Sequence, residues 1–347
     1  MKNPMAHVLL LLLVFGSTQT ADGQSRKGTA AATFLTLGVG ARATAVGHAF
    51  TAVATGADGL FWNPAGIARP HPSSGQRGSA MFSNHRWFVD VNFAGLGAVV
   101  PVTGSGAVGL SVVKLDYGDQ LVRTVDMPEG TGETFSSMDI SIGLSYAQQL
   151  TDYFYLGGSA KGVRQNIRDM KASAVAFDIG FVLETNYLNG IQLGASIQNF
   201  GGKMQMDGIN SEEYIDIDPT TNFNQDAVPA RIKMDAWSLP LTFKFGVMIP
   251  AVRAGQYKVS LMAESHQTND NDLNADVGGI ASYELKTILL EARMGYKDLG
   301  LTDVDSHLTY GAGLDIRLRG LRVAFDFAYV PFDRLGDVRM IDFRLHF

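Results

Sequence analysis

From residue 79 to residue 347, apolar and polar side chains alternate with a period of two, the spacing of a β-strand with two different faces. In the final segment Ile341, Phe343, Leu345 and Phe347 share one face, and Asp342, Arg344 and His346 share the other. Residues 321–329 repeat the pattern, with Leu321, Val323, Phe325, Phe327 and Tyr329 against Arg322, Ala324 and Asp326. The alternation predicts fourteen strands, over 79–87, 91–101, 106–117, 135–149, 153–168, 173–187, 190–199, 238–250, 255–267, 274–285, 287–297, 305–318, 320–331 and 337–347. It slips in the first three.

A half-buried soluble sheet also alternates, so further features decide. The segments reach the ~9–11 residues that a tilted strand needs to cross a bilayer. Charges of both signs stand in the middle of the polar faces, as a wet lumen permits. The longer connections (118–134, 200–237, 268–273, 298–304 and 332–336) alternate with short ones, although 88–90 and 169–172 are short where long ones are expected. Tyrosines fall into two rows: Tyr146, Tyr187, Tyr257 and Tyr283 in one, and Tyr117, Tyr296, Tyr310 and Tyr329 in the other. A soluble sandwich explains neither the strand length nor the loop asymmetry. The predicted fold is all-β: a closed antiparallel transmembrane barrel of about 14 strands with a small N-terminal plug, apolar toward lipid and polar toward the lumen.

The organisation along the chain follows. Residues 1–23 read as a signal peptide, with Lys2, an apolar core from Val8 to Phe15, and small Ala21 and Gly23 before Gln24. Residues 24–78 form the expected hatch, with a turn signal at Trp62-Asn63-Pro64-Ala65-Gly66, a short helix within 43–53, and apolar Phe34, Leu35, Phe50, Leu60 and Phe61. Residues 79–347 form the barrel. The expected location is the outer membrane of a Gram-negative-type envelope, with outer-membrane lipid as the solvent. Ile341, Phe343, Leu345 and Phe347 form the expected insertion signal, read by the barrel-assembly machinery. The long connection 200–237 is a candidate partner-binding loop, through Met204, Met206, Tyr214, Ile217, Phe223 and Trp237.

Composition narrows the function. A net charge of −6 disfavours a nucleic-acid partner. The absence of cysteine excludes disulfides, thiolate metal sites and thiol nucleophiles. Gly38-Val39-Gly40-Ala41-Arg42-Ala43 with Asp58 matches a permissive dinucleotide pattern, but no parallel βαβ unit surrounds it, so no cofactor is expected. The acidic stretches 268–272 with Asp276, and Glu212, Glu213, Asp216 and Asp218, lack the bidentate Glu of a calcium loop and read as solvated loops. His7, His48, His71, His85, His266, His307 and His346 show no ligand spacing, so no metal is expected. Ser306 and His307 are neighbours that face opposite sides, and no enzyme is expected. Asp178, Lys244, Lys258, Glu264, Glu291, Arg293, Asp315, Arg317, Asp326 and Arg344 are expected to pair across strands.

The run from Leu37 to Ala54, followed by Trp62-Asn63-Pro64-Ala65-Gly66, resembles the PorV/PorQ-type family, within the wider FadL-like (fatty-acid-transporter-like) barrels. Ser196-Ile197-Gln198-Asn199-Phe200-Gly201-Gly202 adds to the resemblance. It implies fourteen strands and an N-terminal hatch carrying Asn63, Pro64, Ala65 and Gly66. His48 stands where many members have Gly. The family is linked to type IX secretion, which implies a translocon subunit or an exported cargo protein as partner. The wider superfamily implies the alternative, a channel with a hydrophobic small molecule in the lumen.

Overall fold

The computed structural model describes residues 28–71, 76–102, 104–216, 228–301, 304–332, 334 and 336–347. The expected signal peptide, Ile217 and Phe223 lie outside these residues.

Fourteen long antiparallel strands close on themselves. They are β1 (Ser79–Arg86), β2 (Asn92–Pro101), β3 (Gly106–Leu121), β4 (Thr134–Thr151), β5 (Phe154–Ile167), β6 (Met170–Glu184), β7 (Gln192–Gly201), β8 (Thr242–Ala254), β9 (Tyr257–Thr268), β10 (Asn274–Glu284), β11 (Ile288–Leu299), β12 (Leu308–Arg317), β13 (Arg322–Val330) and β14 (Val338–His346). Each pairs with its sequence neighbour, and β14 pairs back onto β1 from Ser79↔His346 to Asn84↔Ile341. Closure removes the two edges that an open sheet would expose. The three strands with slipping alternation are present, with residues of β1 and β2 still taking turns between the two sides.

The barrel is inside out relative to a soluble protein. Leu144, Ile179, Leu261, Met294 and Ile341 are exposed on the outer surface. Asp139, Asp178, Glu264, Asp276, Asp326 and Arg344 are buried toward the lumen. A contiguous apolar band on the outside is stable only against lipid. Tyr257 and Tyr283 pair across β9 and β10 with ring centroids 4.7 Å apart, as one row of the interfacial tyrosines predicts. Tyr117 departs from the other row. It faces the lumen, where its hydroxyl donates to Asp139 at 3.0 Å, because β3 continues past residue 117 with inward parity.

With the C-terminal end of β14 taken as periplasmic, the segment before β1 runs through the lumen from the outer end to the inner end. Ala30 bridges Ser238 near the outer rim, and Gly78 exchanges backbone hydrogen bonds with Phe347 at the other end. The hatch is built from single turns. The helix expected over 43–53 does not form; a single helical turn, Ala41–Thr44, overlaps it only at Ala43 and Thr44. It stops because Gly47 and His48 both take positive φ, at 68° and 71°. Gly47 there meets the wall: a Cβ on it would lie 2.9 Å from the Tyr296 nitrogen. His48 thus adopts the left-handed conformation that glycine takes most easily, and its ring packs on Trp62 with centroids 5.3 Å apart.

The 200–237 connection folds partly back on the barrel. Lys203–Gln205 pairs with Ala236–Ser238, Asp207–Gly208 pairs with β6, and Glu212–Ile215 pairs with Val228–Arg231. Met204 is buried with Leu239 in the core and offers no partner-binding surface, whereas Tyr214 and Trp237 are exposed.

Candidate functional site

The hatch is fastened to the wall by polar groups that the turn motif places. Asn63 caps the turn Pro64–Ala68, its side-chain oxygen accepting from Ala65 N–H at 3.2 Å. Pro64 begins that turn, where a missing N–H costs nothing. The Asn63 amide donates to Thr51 O within the hatch and to Phe181 O on β6, both at 3.0 Å. Arg69, just after the turn, donates to Ala52 O and Ala54 O and bridges to Glu184 at 2.7 Å. Opposite, Glu264 on β9 accepts from Phe50 N–H (2.9 Å), Thr51 N–H (2.8 Å) and the Thr51 hydroxyl (2.9 Å).

Wall glycines make room for this. A Cβ at Gly157 would stand 2.6 Å from the Pro64 carbonyl, and one at Gly194 would stand 2.6 Å from Ala52 Cα. Gly180 leaves the space that the Asn63 side-chain oxygen occupies. A glycine inside a strand marks close approach of another backbone, and here that backbone is the hatch.

A buried ion network completes the seat. Arg344 on β14 reaches Asp326 on β13 at 2.5 Å and Asp58 of the hatch at 3.2 Å. Arg293 on β11 reaches the same Asp326 at 2.5 Å and pairs with Glu291. Arg42 of the hatch stands 3.5 Å from Asp58 and 3.8 Å from Glu291. Three guanidiniums thus face three carboxylates, so the desolvated cluster carries no net formal charge. The expected cross-strand pairing holds for Asp178 (with Lys161), Lys258 (with Glu284), Asp315 (with Arg322), Arg293, Asp326 and Arg344. It fails for Glu264, whose carboxylate binds hatch backbone instead.

Above the hatch lies a cavity of about 110 Å³. Its floor is apolar, formed by Phe34, Leu35, Leu37, Leu60, Phe61 and Trp62. The barrel contributes the more polar Ser111, Ser141, Gln198, Lys244 and His266. Lys244 Nζ stands 4.5 Å over the Trp62 ring. Burial, with the nearby charges of Lys297, Lys244 and His266, holds His48 well below its usual pKa, so its imidazole is neutral in the floor. Thr36, Leu37, Gly38, His48, His266 and Thr268 line both this cavity and an outer vestibule of about 360 Å³. On the periplasmic side of the hatch lies another cavity of about 320 Å³, bordered by Arg42, Arg69, His71, Arg293 and Arg344 together with Met248, Met262 and Ile280. Cavities therefore lie on both sides of the hatch.

Of the residues singled out in the sequence, Asn63, Pro64, Ala65 and Gly66 meet at the seat of the hatch, all buried. Ile341 and Phe343 face outward on β14, and exposed Phe347 follows it. Tyr214 and Trp237 lie in the outer connection, away from the cavity floor. The wall glycines and the convergence of His266 with the floor were not foreseen, and Asp58, noted only in the dinucleotide-like pattern, belongs instead to the ion network. Only the glycines left a signal, as breaks in otherwise alternating strands.

The architecture is that of a closed fourteen-strand β-barrel, apolar on its outer face and plugged by an N-terminal hatch. No family model matches the chain, and no curated protein matches it. Solved structures do. The toluene transporter TodX of Pseudomonas putida superposes with a TM-score of 0.57 at 13% identity, over 89% of this chain and 97% of that one. A Pseudomonas aeruginosa FadL homologue gives 0.52 at 10% identity, over 88% and 97%. A TodX deltaS2S3 mutant, a monoaromatic hydrocarbon channel, gives 0.53 at 12% identity, over 89% and 98%. These neighbours are FadL-type barrels, and the shared feature is the fold.

Proposed function

We propose that this barrel is a FadL-like outer-membrane channel for small hydrophobic molecules. The observation that carries the reading is the cavity of about 110 Å³, floored by Phe34, Leu35, Leu60, Phe61 and Trp62 and sharing its outer lining with the vestibule. The apolar floor offers a face for one aromatic ring or a short alkyl segment, with Ser111, Ser141, Lys161, Gln198 and Lys244 around it to meet a polar end. An ungated aqueous pore has no need of such a floor. The FadL-like fold supports the same reading, as does the toluene transport named for one neighbour. In this account the ligand enters the vestibule, leaves water on the apolar floor, and passes inward when the hatch yields.

The cargo-handling role implied by the PorV/PorQ-type resemblance has less behind it. Its support is the exposed Tyr214 and Trp237 of the outer connection, and the structural neighbours are channels. The two readings separate in one experiment. A protein carrying Trp87→Phe and Trp237→Phe keeps Trp62 as its lone tryptophan. A brominated hydrocarbon seated on the floor quenches that fluorescence saturably, and competition with toluene restores it. Absence of saturable quenching in correctly folded protein removes the channel reading.

A further inference from the structure

The geometry points to a divalent-cation site in the vestibule wall, held by His266 on β9, Asp276 on β10 and Asp298 on β11. Strand pairing creates it. His266 pairs with Asn274 across β9 and β10, which sets Asp276 diagonally beside it on the lumen face. Between β10 and β11 the register slips: Ala275 pairs with Leu299 and Val277 with Tyr296, so Lys297 and Asp298 together oppose Asp276. A bulge of this kind re-aims side chains, and here it turns Asp298 toward the other two. One ligand atom from each of the three residues lies within 4.8 Å of the others.

The second observation is unmet bonding capacity. Asp276 is fully buried, and its Oδ2 has no hydrogen-bond partner. Asn274 is 4% exposed, and its Oδ1 also has none. His266 Nδ1 lies 3.1 Å from Asp276 Oδ2, yet neither atom makes a hydrogen bond. Buried polar atoms are normally hydrogen-bonded, and Asp276 Oδ2 has only the His266 contact, an ion pair when that imidazole is protonated. A cation between these atoms satisfies them together. The 3.1 Å separation is close to the edge, roughly 3.3 Å, of a tetrahedron built on 2.0–2.1 Å metal bonds. The remaining carboxylate lies within 4.8 Å and needs to close by up to about 1.5 Å.

The surroundings orient the ligands. Asp276 Oδ1 accepts from Asp298 N–H at 2.7 Å, which leaves Oδ2 for the ion. Asn274 Nδ2 donates to Asp298 Oδ1 at 3.3 Å, which steadies that carboxylate. Access is open, because His266, Asn274 and Asp298 all line the vestibule. One imidazole nitrogen with two carboxylates favours a borderline ion of the Zn²⁺, Co²⁺ or Ni²⁺ type over Ca²⁺ or Mg²⁺, which take all-oxygen shells. Lys297 opposes occupancy: its ammonium stands 3.2 Å from Asp298 Oδ2 and competes for that oxygen. A bound ion would tie three strands together at the mouth that the ligand must cross.

The test uses the tagless full chain in detergent, stripped with chelator and titrated with Zn²⁺ against a metallochromic dye. One Zn²⁺ per chain is expected. His266→Ala and Asp298→Asn should each weaken binding at least ~10-fold, and Lys297→Met should tighten it. Asp270→Asn, in the neighbouring loop, should leave it unchanged. Shifted gel mobility of the unboiled protein certifies folding of each variant. The proposal is overturned if the wild type takes up no Zn²⁺, if His266→Ala binds as well as wild type, or if Lys297→Met weakens binding.

Discussion

Pro64 of the hatch rests on Gly157 of β5 so closely that a Cβ on the glycine would stand 2.6 Å from the Pro64 carbonyl. The contact is backbone against backbone, so no side-chain rotation relieves an intruding group. Gly157→Val should therefore lift the hatch while β4, β5 and β6 keep their ladder. Overpacking of this kind costs about 1–3 kcal/mol, enough to raise the unseated population by one to two orders of magnitude. Planar-bilayer conductance should rise and the hatch should become open to protease. Conductance equal to wild type would mean that Pro64 does not depend on that space.

The ion network gives a second expectation. Asp58 is the hatch carboxylate within reach of both Arg344 and Arg42, at 3.2 and 3.5 Å. Asp58→Asn leaves Asp326 to hold Arg293 and Arg344, so the barrel should insert and show unchanged heat-modifiable mobility. The hatch alone should loosen, because removing one partner strands buried positive charge at a cost of about 3–5 kcal/mol. Limited proteolysis within the lumenal segment reads this. Equal loss of barrel and hatch would place Asp58 in the structure of the whole.

Acid should unseat the hatch. Burial, followed by the charges of His346, Arg322, Arg42 and Arg344, pushes the His71 pKa from 6.5 down to about 2. Asp315 stands 3.7 Å away but is already bridged by Arg322 at 2.9 Å, so burial dominates. The seated form therefore stays unprotonated where the released form, with an ordinary histidine, takes up a proton. Seating is full above about pH 6.5 and weakens as pH falls from there toward about 2. At pH 5 His71 alone contributes a loss of about 2 kcal/mol. Conductance should increase between pH 7.5 and pH 5, and His71→Gln should flatten that increase.

The barrel was legible in the sequence because its signal is local. Ile341, Phe343 and Leu345 against Asp342, Arg344 and His346 state two faces without reference to any other strand, and β14 presents them that way. The turn at Asn63 and Pro64 was legible for the same reason. What escaped depends on register. Arg42 and Asp58 meet Glu291 and Arg344 only after the hatch is threaded through a closed barrel. His266, Asp276 and Asp298 converge only through a pairing and a bulge that no spacing along the chain encodes. Tyr117 joined the wrong row because β3 extends to Leu121, beyond the end its alternation predicts.

Insertion rests on the last strand. Phe343 is 41% exposed on the outer face, opposite Phe82 of β1 and Phe325 of β13 in the closing ladder. Phe343→Asp puts a charge on the lipid face at the seam where the barrel closes, at a cost of up to a few kcal/mol. Membrane fractionation should show the variant lost from the outer membrane. Wild-type levels there would show that closure does not need an apolar side chain at this position.

The central claim is that the cavity floored by Phe34, Leu35, Leu60, Phe61 and Trp62 carries a hydrophobic molecule on its way inward. The most direct measurement is uptake of radiolabelled toluene by cells that lack other hydrocarbon channels, with and without this protein. Val113→Trp, which fills the cavity from β3, serves as the matched control. Uptake several-fold above the empty host, cancelled by Val113→Trp at equal barrel levels, is the predicted result. Uptake that is the same with and without the protein, or unchanged when the cavity is filled, would contradict the account.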